Sequence, residues 1–80
     1  MDIKLIESTR GHVTLDLGEG RLVRFYGEWH LPGPGSPGFV LYANHVHAVD
    51  GALLQGSDLQ AALEAFGSFA ASKSWEYEIA

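Results

Sequence analysis

The chain has 80 residues, of which 46% are hydrophobic and 19% are charged, and it contains no cysteine. A chain of this length buries only about 60% of its unfolded surface, so it forms one small core with little room for an enclosed substrate cavity. The lack of cysteine excludes disulfide bonds and thiolate zinc sites, and stability must come from packing. We expect residues 1–80 to form a single domain whose function lies on its surface.

Ten acidic and five basic residues give a net charge of −5. Most of the excess lies in residues 50–80, where the charged side chains are Asp50, Asp58, Glu64, Glu76 and Glu78, with Lys73 as the one base. The electrostatic field of this negative charge repels nucleic-acid phosphates and anionic lipids, whereas it attracts a basic protein. We therefore expect a protein partner and no direct contact with nucleic acid or membrane.

The opening residues, MDIKLIESTRG, show neither a basic leader nor an apolar run of signal-peptide length. No segment of the sequence approaches the roughly 20 apolar residues that a membrane helix needs. The expectation is a soluble protein of the cytoplasm.

The first three elements in chain order are predicted to be strands. Residues 2–7 alternate only weakly between apolar and polar side chains, whereas residues 12–17, HVTLDL, alternate cleanly. The Gly-Glu-Gly turn at 18–20 supplies residues that tolerate positive φ. Residues 21–29 should therefore return as the partner strand of a hairpin.

All three prolines lie in residues 32–38, a segment that can sustain neither a ladder of hydrogen bonds nor helical dihedral angles. We predict a long surface loop between two strands of one domain. Residues 39–47 resume strand character, and their alternation predicts that Tyr42 and Asn44 share a face. An Asp-Gly turn at 50–51 ends that region.

A helix and a last strand follow. Residues 58–72 repeat apolar side chains at i, i+3, i+4 and i+7, which predicts an amphipathic helix lying on the sheet. Ser57 is predicted to open a capping box with Gln60. Gly67 weakens the helix by up to ~1 kcal/mol relative to alanine, which indicates a close approach by neighbouring backbone. Residues 75–79 alternate again at strand spacing.

The resulting order is β-β-β-β-α-β. It predicts an α+β fold with a small antiparallel sheet of four to five strands and one amphipathic helix packed on one face.

Histidines are the main candidates for chemistry. His45 and His47 would lie on one strand face about 7 Å apart, a spacing that zinc could use. Two ligands do not make a metal site, so we predict no metal, and exposed strand histidines are the plainer interpretation. Glu28 and His30 could also share a face, but no nucleophile, oxyanion donor or phosphate loop accompanies them. We expect no enzyme activity and no cofactor.

Six side chains have the character of a protein interface: Tyr26, Glu28, Trp29, Tyr42, Glu76 and Glu78. Trp29 has two possible roles. It either closes the rim of the core or contacts a partner. For Glu76 and Glu78, a solvated strand face is the plain interpretation and an acidic partner-binding stripe is the alternative.

Five segments carry a likeness to a known family: Ser-Thr-Arg-Gly at 8–11, the VTLDL after it, RLVRFYGEW, GFVLYANHVH, and a helix running into WEYEI. Together they resemble small bacterial immunity proteins of polymorphic-toxin systems, immunity-protein family seventy-four. The resemblance covers most of the chain. It implies a cytoplasmic protein that binds a cognate toxin domain and blocks its active site or its substrate approach. The toxin is expected to be basic, because the chain is acidic.

Two other functions stay open at this point. One is a small homo-oligomeric module, such as a homodimer, because Tyr26, Trp29 and Tyr42 lie on short strands whose open edges invite pairing. The other is a metal-binding protein that uses His45 and His47.

Overall fold

The structure, a computed structural model, describes residues 3–80, so the predicted start of the first strand at Asp2 lies outside the described residues. The elements in chain order are β1 (Lys4–Ser8), β2 (His12–Asp16), β3 (Leu22–Trp29), β4 (Phe39–Ala48), α1 (Gly56–Ser72) and β5 (Tyr77–Ile79). The order β-β-β-β-α-β and the α+β class are those predicted from the sequence.

The five strands form one sheet in the order β1-β2-β3-β4-β5. The pairs β1–β2, β2–β3 and β3–β4 are antiparallel, whereas β5 runs parallel to β4. A parallel neighbour needs a long crossover connection, which α1 provides. The 17 residues of α1 span about 25 Å, so they carry the chain back along β4 before β5 begins. The sheet is therefore mixed, with its antiparallel part in β1–β4.

The helix packs on one face of the sheet and closes the core. The buried hydrophobic side chains are Val13, Leu15, Leu17, Val23, Phe25, Phe39, Leu41, Val46, Ala62, Phe66, Phe69 and Ala70. Phe66 lies among three other aromatic rings, with centroids 5.0 Å from Phe25, 5.8 Å from Phe39 and 5.1 Å from Tyr77. The apolar stripe predicted for the helix is thus the stripe that faces the sheet.

The start of α1 differs from the prediction. The helix begins at Gly56, and its N-cap residue, Gln55, makes no side-chain capping hydrogen bond. The predicted capping box of Ser57 and Gln60 is therefore wrong. Gly56 has a φ of 58°, so the chain enters the helix through a left-handed residue. This conformation moves the N-cap two residues ahead of Ser57 and leaves that side chain inside the first turn.

The end of α1 is a Schellman turn. The backbone N–H of Trp75 donates to the carbonyl of Ala70 at 2.8 Å, and that of Ser74 donates to Ala71 at 3.2 Å. Ser74 has a φ of 57°, a position where glycine is usual. The turn directs Trp75 back onto the helix, where its ring centroid lies 5.3 Å from that of Phe69.

The predicted turns and the proline loop are confirmed. Residues 18–20 all have positive φ, and the N–H of Gly51 donates to the carbonyl of Ala48 at 2.8 Å. Residues 32–38 contain neither helix nor strand.

A bulge in β4 interrupts the regular alternation predicted for residues 39–47. Phe25 pairs with Val46 and Gly27 pairs with Leu41, so a single β3 residue faces residues 42–45 of β4. Leu41 and Val46 are both fully buried in the core although they are five positions apart. A Cβ atom at Gly27 would collide with the carbonyl oxygen of Val40, so the close approach of the two strands requires glycine there.

Gly67 also marks a close contact, but a side chain makes it. A Cβ atom at this position would lie 2.7 Å from the hydroxyl oxygen of Tyr77 on β5. The small residue thus lets the last strand pack its tyrosine against the helix.

Candidate partner-binding face

The sheet has one face under the helix and a second face that no element within residues 3–80 covers. We call the second one the open face. The side chains on it alternate with the core positions of the strands and include Glu7, His12, Thr14, Asp16, Leu22, Arg24, Tyr26, Glu28, Val40, Tyr42, His45, His47 and Glu78. Four of the six predicted interface residues, Tyr26, Glu28, Tyr42 and Glu78, lie on it.

Two glutamates and a valine line up across one end of the open face. Glu28 on β3 pairs with Val40 on β4, and Val40 pairs with Glu78 on β5. We call these three residues the acidic row. Neighbouring strands are about 4.8 Å apart, so the two glutamate backbones lie about 10 Å apart on either side of the valine. Both glutamates are exposed and Val40 is partly buried.

Tyr42 belongs to the same end of the face. Its hydroxyl donates to Oε2 of Glu28 at 3.4 Å. Its ring lies edge-on to that of His45, with centroids 6.3 Å apart. An aromatic ring that contacts one carboxylate, with a second carboxylate across Val40, is a suitable place for a lysine or arginine of a partner. The charged end would meet the carboxylates, and the aliphatic stem would cover apolar surface.

Trp29 lies on the other face of the sheet, and Glu76 precedes the last strand. Trp29 faces the helix side of the sheet, where its ring centroid lies 5.0 Å from Phe39 and 5.1 Å from Trp75. The structure therefore places Trp29 at the rim of the core. Its indole Nε1 is buried and has no hydrogen-bond partner within residues 3–80. Glu76 is exposed ahead of β5, and its carbonyl accepts from the N–H of Phe39 at 3.1 Å.

Histidines occupy the middle of the open face. Tyr26 lies edge-on between His12 and His47, with ring centroids 5.7 and 5.5 Å away. His45 reaches the same face because the β4 bulge resets the alternation after Leu41. The predicted sharing of a face by His45 and His47 agrees with the buried position of Val46 between them. No cluster of three or more histidine or acidic side chains suited to a metal ion is present in the described part of the chain.

Sequence reasoning missed a chain of hydrogen bonds at the β1–β2 turn. Nδ1 of His12 lies 3.2 Å from the hydroxyl of Thr9, and its Nε2 lies 2.7 Å from Oε1 of Glu7. This hydrogen bond from His12 lowers the pKa of the Glu7 carboxyl. A hydroxyl, an imidazole and a carboxylate in this order resemble a catalytic triad. However, the Thr9 hydroxyl already accepts from the N–H groups of Gly11 and His12, so it stabilises the turn.

Comparison with protein-family models, with curated proteins and with solved structures finds no match for this chain. The resemblance to bacterial immunity proteins therefore stays a prediction. Within residues 3–80, the helix lacks the length and apolar content that a membrane crossing requires. The functional interpretation must then come from the geometry of the open face.

Proposed function

We propose that this protein binds another protein stoichiometrically through its open face. In its specific form, the protein is an immunity protein that neutralises a cognate basic toxin by covering the toxin's active site or substrate surface. The observation that supports this best is the acidic row: Glu28 and Glu78 flank Val40, and Tyr42 stands beside them. These side chains would receive a lysine or arginine of the partner.

The composition of the open face supports a protein partner. Interfaces are enriched in tyrosine and arginine, and their strongest contacts usually come from such residues. Tyr26, Tyr42 and Arg24 all lie on this face, and Tyr26 is 38% exposed. A side of the sheet that served only as a solvated surface would not need this concentration of aromatic rings.

Size and charge support the same proposal. The chain has a net charge of −5, which favours encounter with a basic protein. Its accessible surface is 5040 Å², and an ordinary interface covers about 800 Å² per partner, or roughly a sixth of that surface. One sheet face of a domain this small is therefore enough for a stable complex.

A homodimer through β1 is the second candidate. Every residue of β1 is exposed, and Leu5 and Ile6 are 41% and 52% exposed on this edge strand. Unpaired edges invite a further strand, although the register shift between Leu5 and Glu7 interrupts the ladder there. Sedimentation at high concentration separates the candidates, because a monomer excludes the dimer.

The test of the proposed function begins with the product of the neighbouring gene. We expect this product to be toxic when expressed alone, to co-purify with the present protein and to lose its toxicity in the complex. Failure of the two proteins to bind, together with unchanged toxicity, would contradict the immunity role.

A charge-reversal experiment then tests the chosen surface. Glu28→Lys combined with Glu78→Lys should weaken the complex at least tenfold and flatten its dependence on salt, because two attractive charges become repulsive. Glu19→Lys combined with Glu64→Lys, two exposed changes in the turn at 18–20 and on the helix, is the matched control with the same change in net charge and should bind like the unaltered protein. Equal weakening by both variants would show a diffuse charge effect and would argue against the acidic row.

A further inference from the structure

The last strand of the sheet, β5, has an open edge. Within residues 3–80 it pairs with β4 on one side and has no strand on the other. The carbonyl of Glu76 and the N–H of Ala80 form hydrogen bonds with β4 of 3.1 and 2.8 Å. Backbone groups alternate in direction along a strand, so the N–H and C=O groups of Tyr77 and Ile79 point away from β4. Two donors and two acceptors are thus directed outward from the sheet.

We propose that this edge binds an extended segment of a partner protein, which adds a sixth strand to the sheet. The inference rests on the proposed function, because it specifies how the protein partner is held. Strand addition is a common mode of peptide recognition, in which main-chain hydrogen bonds give affinity and alternate side chains give specificity. Edges that avoid it carry lysine, proline or a bulge. The strand β1 has Lys4 and a register shift, whereas β5 has none of these features.

The side chains at the edge define the chemistry of the added segment. Glu78 ends the acidic row on the open face, so the residue opposite it becomes the next position of that row. Directly opposite residues have Cβ atoms about 4.5–5.5 Å apart, where opposite charges attract. Ile79 lies on the helix side with Tyr77 and is 49% exposed, so an apolar neighbour would cover it. The expected segment therefore has a lysine or arginine between two apolar residues.

A second copy of this chain fits the edge poorly. When two β5 strands pair symmetrically and antiparallel, two Glu78 side chains face each other, or each Glu78 faces Glu76 in the register centred on Tyr77. Like charges directly opposite each other destabilise a strand pair. A register centred on Ile79 avoids this contact, but it leaves Tyr77 without a partner residue within 3–80. The edge therefore favours a basic segment of another protein.

Titration with synthetic peptides, followed by two-dimensional ¹H–¹⁵N NMR, tests the proposal without the partner protein. The probe is a short capped peptide in which valine and lysine alternate. We expect saturable shifts at residues 77–79 and slower hydrogen exchange of the Tyr77 and Ile79 amides. The matched peptide with glutamate in place of lysine should bind at least fivefold more weakly at the same ionic strength. The lysine peptide methylated on every backbone nitrogen should not bind.

Three results with these peptides would overturn the inference: no binding by the lysine peptide, equal binding by the glutamate peptide, or binding by the methylated peptide. If the lysine peptide fails to bind while the product of the neighbouring gene still forms a complex, the strand addition is wrong and the proposed function stands. The two failures are therefore distinguishable.

Variants at residue 79 assign the binding to the edge. Ile79→Pro removes an outward N–H and no hydrogen bond to β4, and proline is tolerated on edge strands at such positions. It should weaken binding of the lysine peptide at least tenfold. Ile79→Val keeps the N–H and a β-branched side chain, so this control should bind like the parent protein.

The NMR spectra report whether each variant is folded, and the methylated peptide decides the question if Ile79→Pro does not fold. Binding that survives Ile79→Pro in a folded protein would contradict the assignment. A dimer that sedimentation detects in the parent protein and not in folded Ile79→Pro would assign the edge to a second copy and would also overturn the proposal.

Discussion

Along β3, neighbouring residues belong to two different surfaces. Val23 and Phe25 are buried under the helix, whereas Arg24 and Tyr26 lie on the open face and keep partial contact with solvent. The same backbone thus carries the hydrophobic core on one side and donors, acceptors and rings on the other. In this molecule the helix-covered face supplies stability, and we propose that the open face serves recognition. Substitutions on the two faces should therefore have different consequences.

The largest expected effect separates the two faces directly. Phe66→Ala removes the ring at the centre of the core and should cost ~3 to 5 kcal/mol, which is comparable with the whole stability of a small domain. Tyr26→Ala on the open face should cost only about 1 kcal/mol, because its ring is partly exposed. Urea unfolding followed by tryptophan fluorescence measures both. Equal losses would remove the distinction between the faces.

The second-largest expected loss of stability concerns the close approach of β3 and β4 at Gly27. Gly27→Ala places a Cβ atom against the carbonyl of Val40 and should destabilise the protein by about 1 to 3 kcal/mol. Gly11→Ala is the control, since a Cβ there meets no atom within 4 Å. Thermal unfolding of the two variants compares them. If Gly27→Ala were as stable as Gly11→Ala, the strands would not be held as closely as the β4 bulge requires.

A smaller effect concerns the two tryptophans at the rim of the core. Trp29→Phe removes a buried N–H that has no partner within residues 3–80, and relief of its cost of about 1 to 3 kcal/mol should offset the lost ring contacts. Trp75→Phe loses its ring contacts with Trp29 and Phe69 without such relief. We expect Trp29→Phe to stay within about 1 kcal/mol of the parent protein and Trp75→Phe to be less stable. If chemical denaturation showed Trp29→Phe to be less stable than Trp75→Phe, the unpaired indole N–H of Trp29 would not carry the expected cost.

The smallest expected effect is a pH dependence on the open face. The pKa of Glu7 is lowered in the folded protein by its hydrogen bond from His12, so its carboxylate contributes stability above its unfolded pKa. That contribution is lost as the pH falls through the folded pKa. Glu7→Gln should make unfolding less dependent on pH in the acid range, and His12→Asn should have the same effect. If the free energy of unfolding fell with decreasing pH equally in both variants and in the parent protein, the hydrogen bond from His12 to Glu7 would contribute no measurable stability.

Local patterns predicted the elements well because each pattern reflects the geometry of a single segment. The alternation in HVTLDL and the helical stripe that includes Phe66 required only the period of a strand or a helix. The Gly-Glu-Gly turn at 18–20 was equally local, since glycine is the residue that most readily takes positive φ. The capping box failed because Gly56 starts the helix in a left-handed conformation that the serine pattern does not reveal.

The candidate sites were predicted only in part, because they depend on how strands pair. Glu28 and Glu78 are far apart in the sequence, and only the register through Val40 brings them into one row. The prediction grouped Trp29 with the interface residues, but the side of the sheet that it faces follows from its pairing with Phe39.

The sequence alone determined the size of the core, the negative charge, the order of the strands and helix, and the apolar face of the helix. Each of these follows from composition or from a period within one segment. Tertiary structure decided the parallel direction of β5, the bulge opposite Tyr26 and the side chains that share the open face. Those features depend on hydrogen bonds between distant segments, and a shift in their register would give the same strands a different surface.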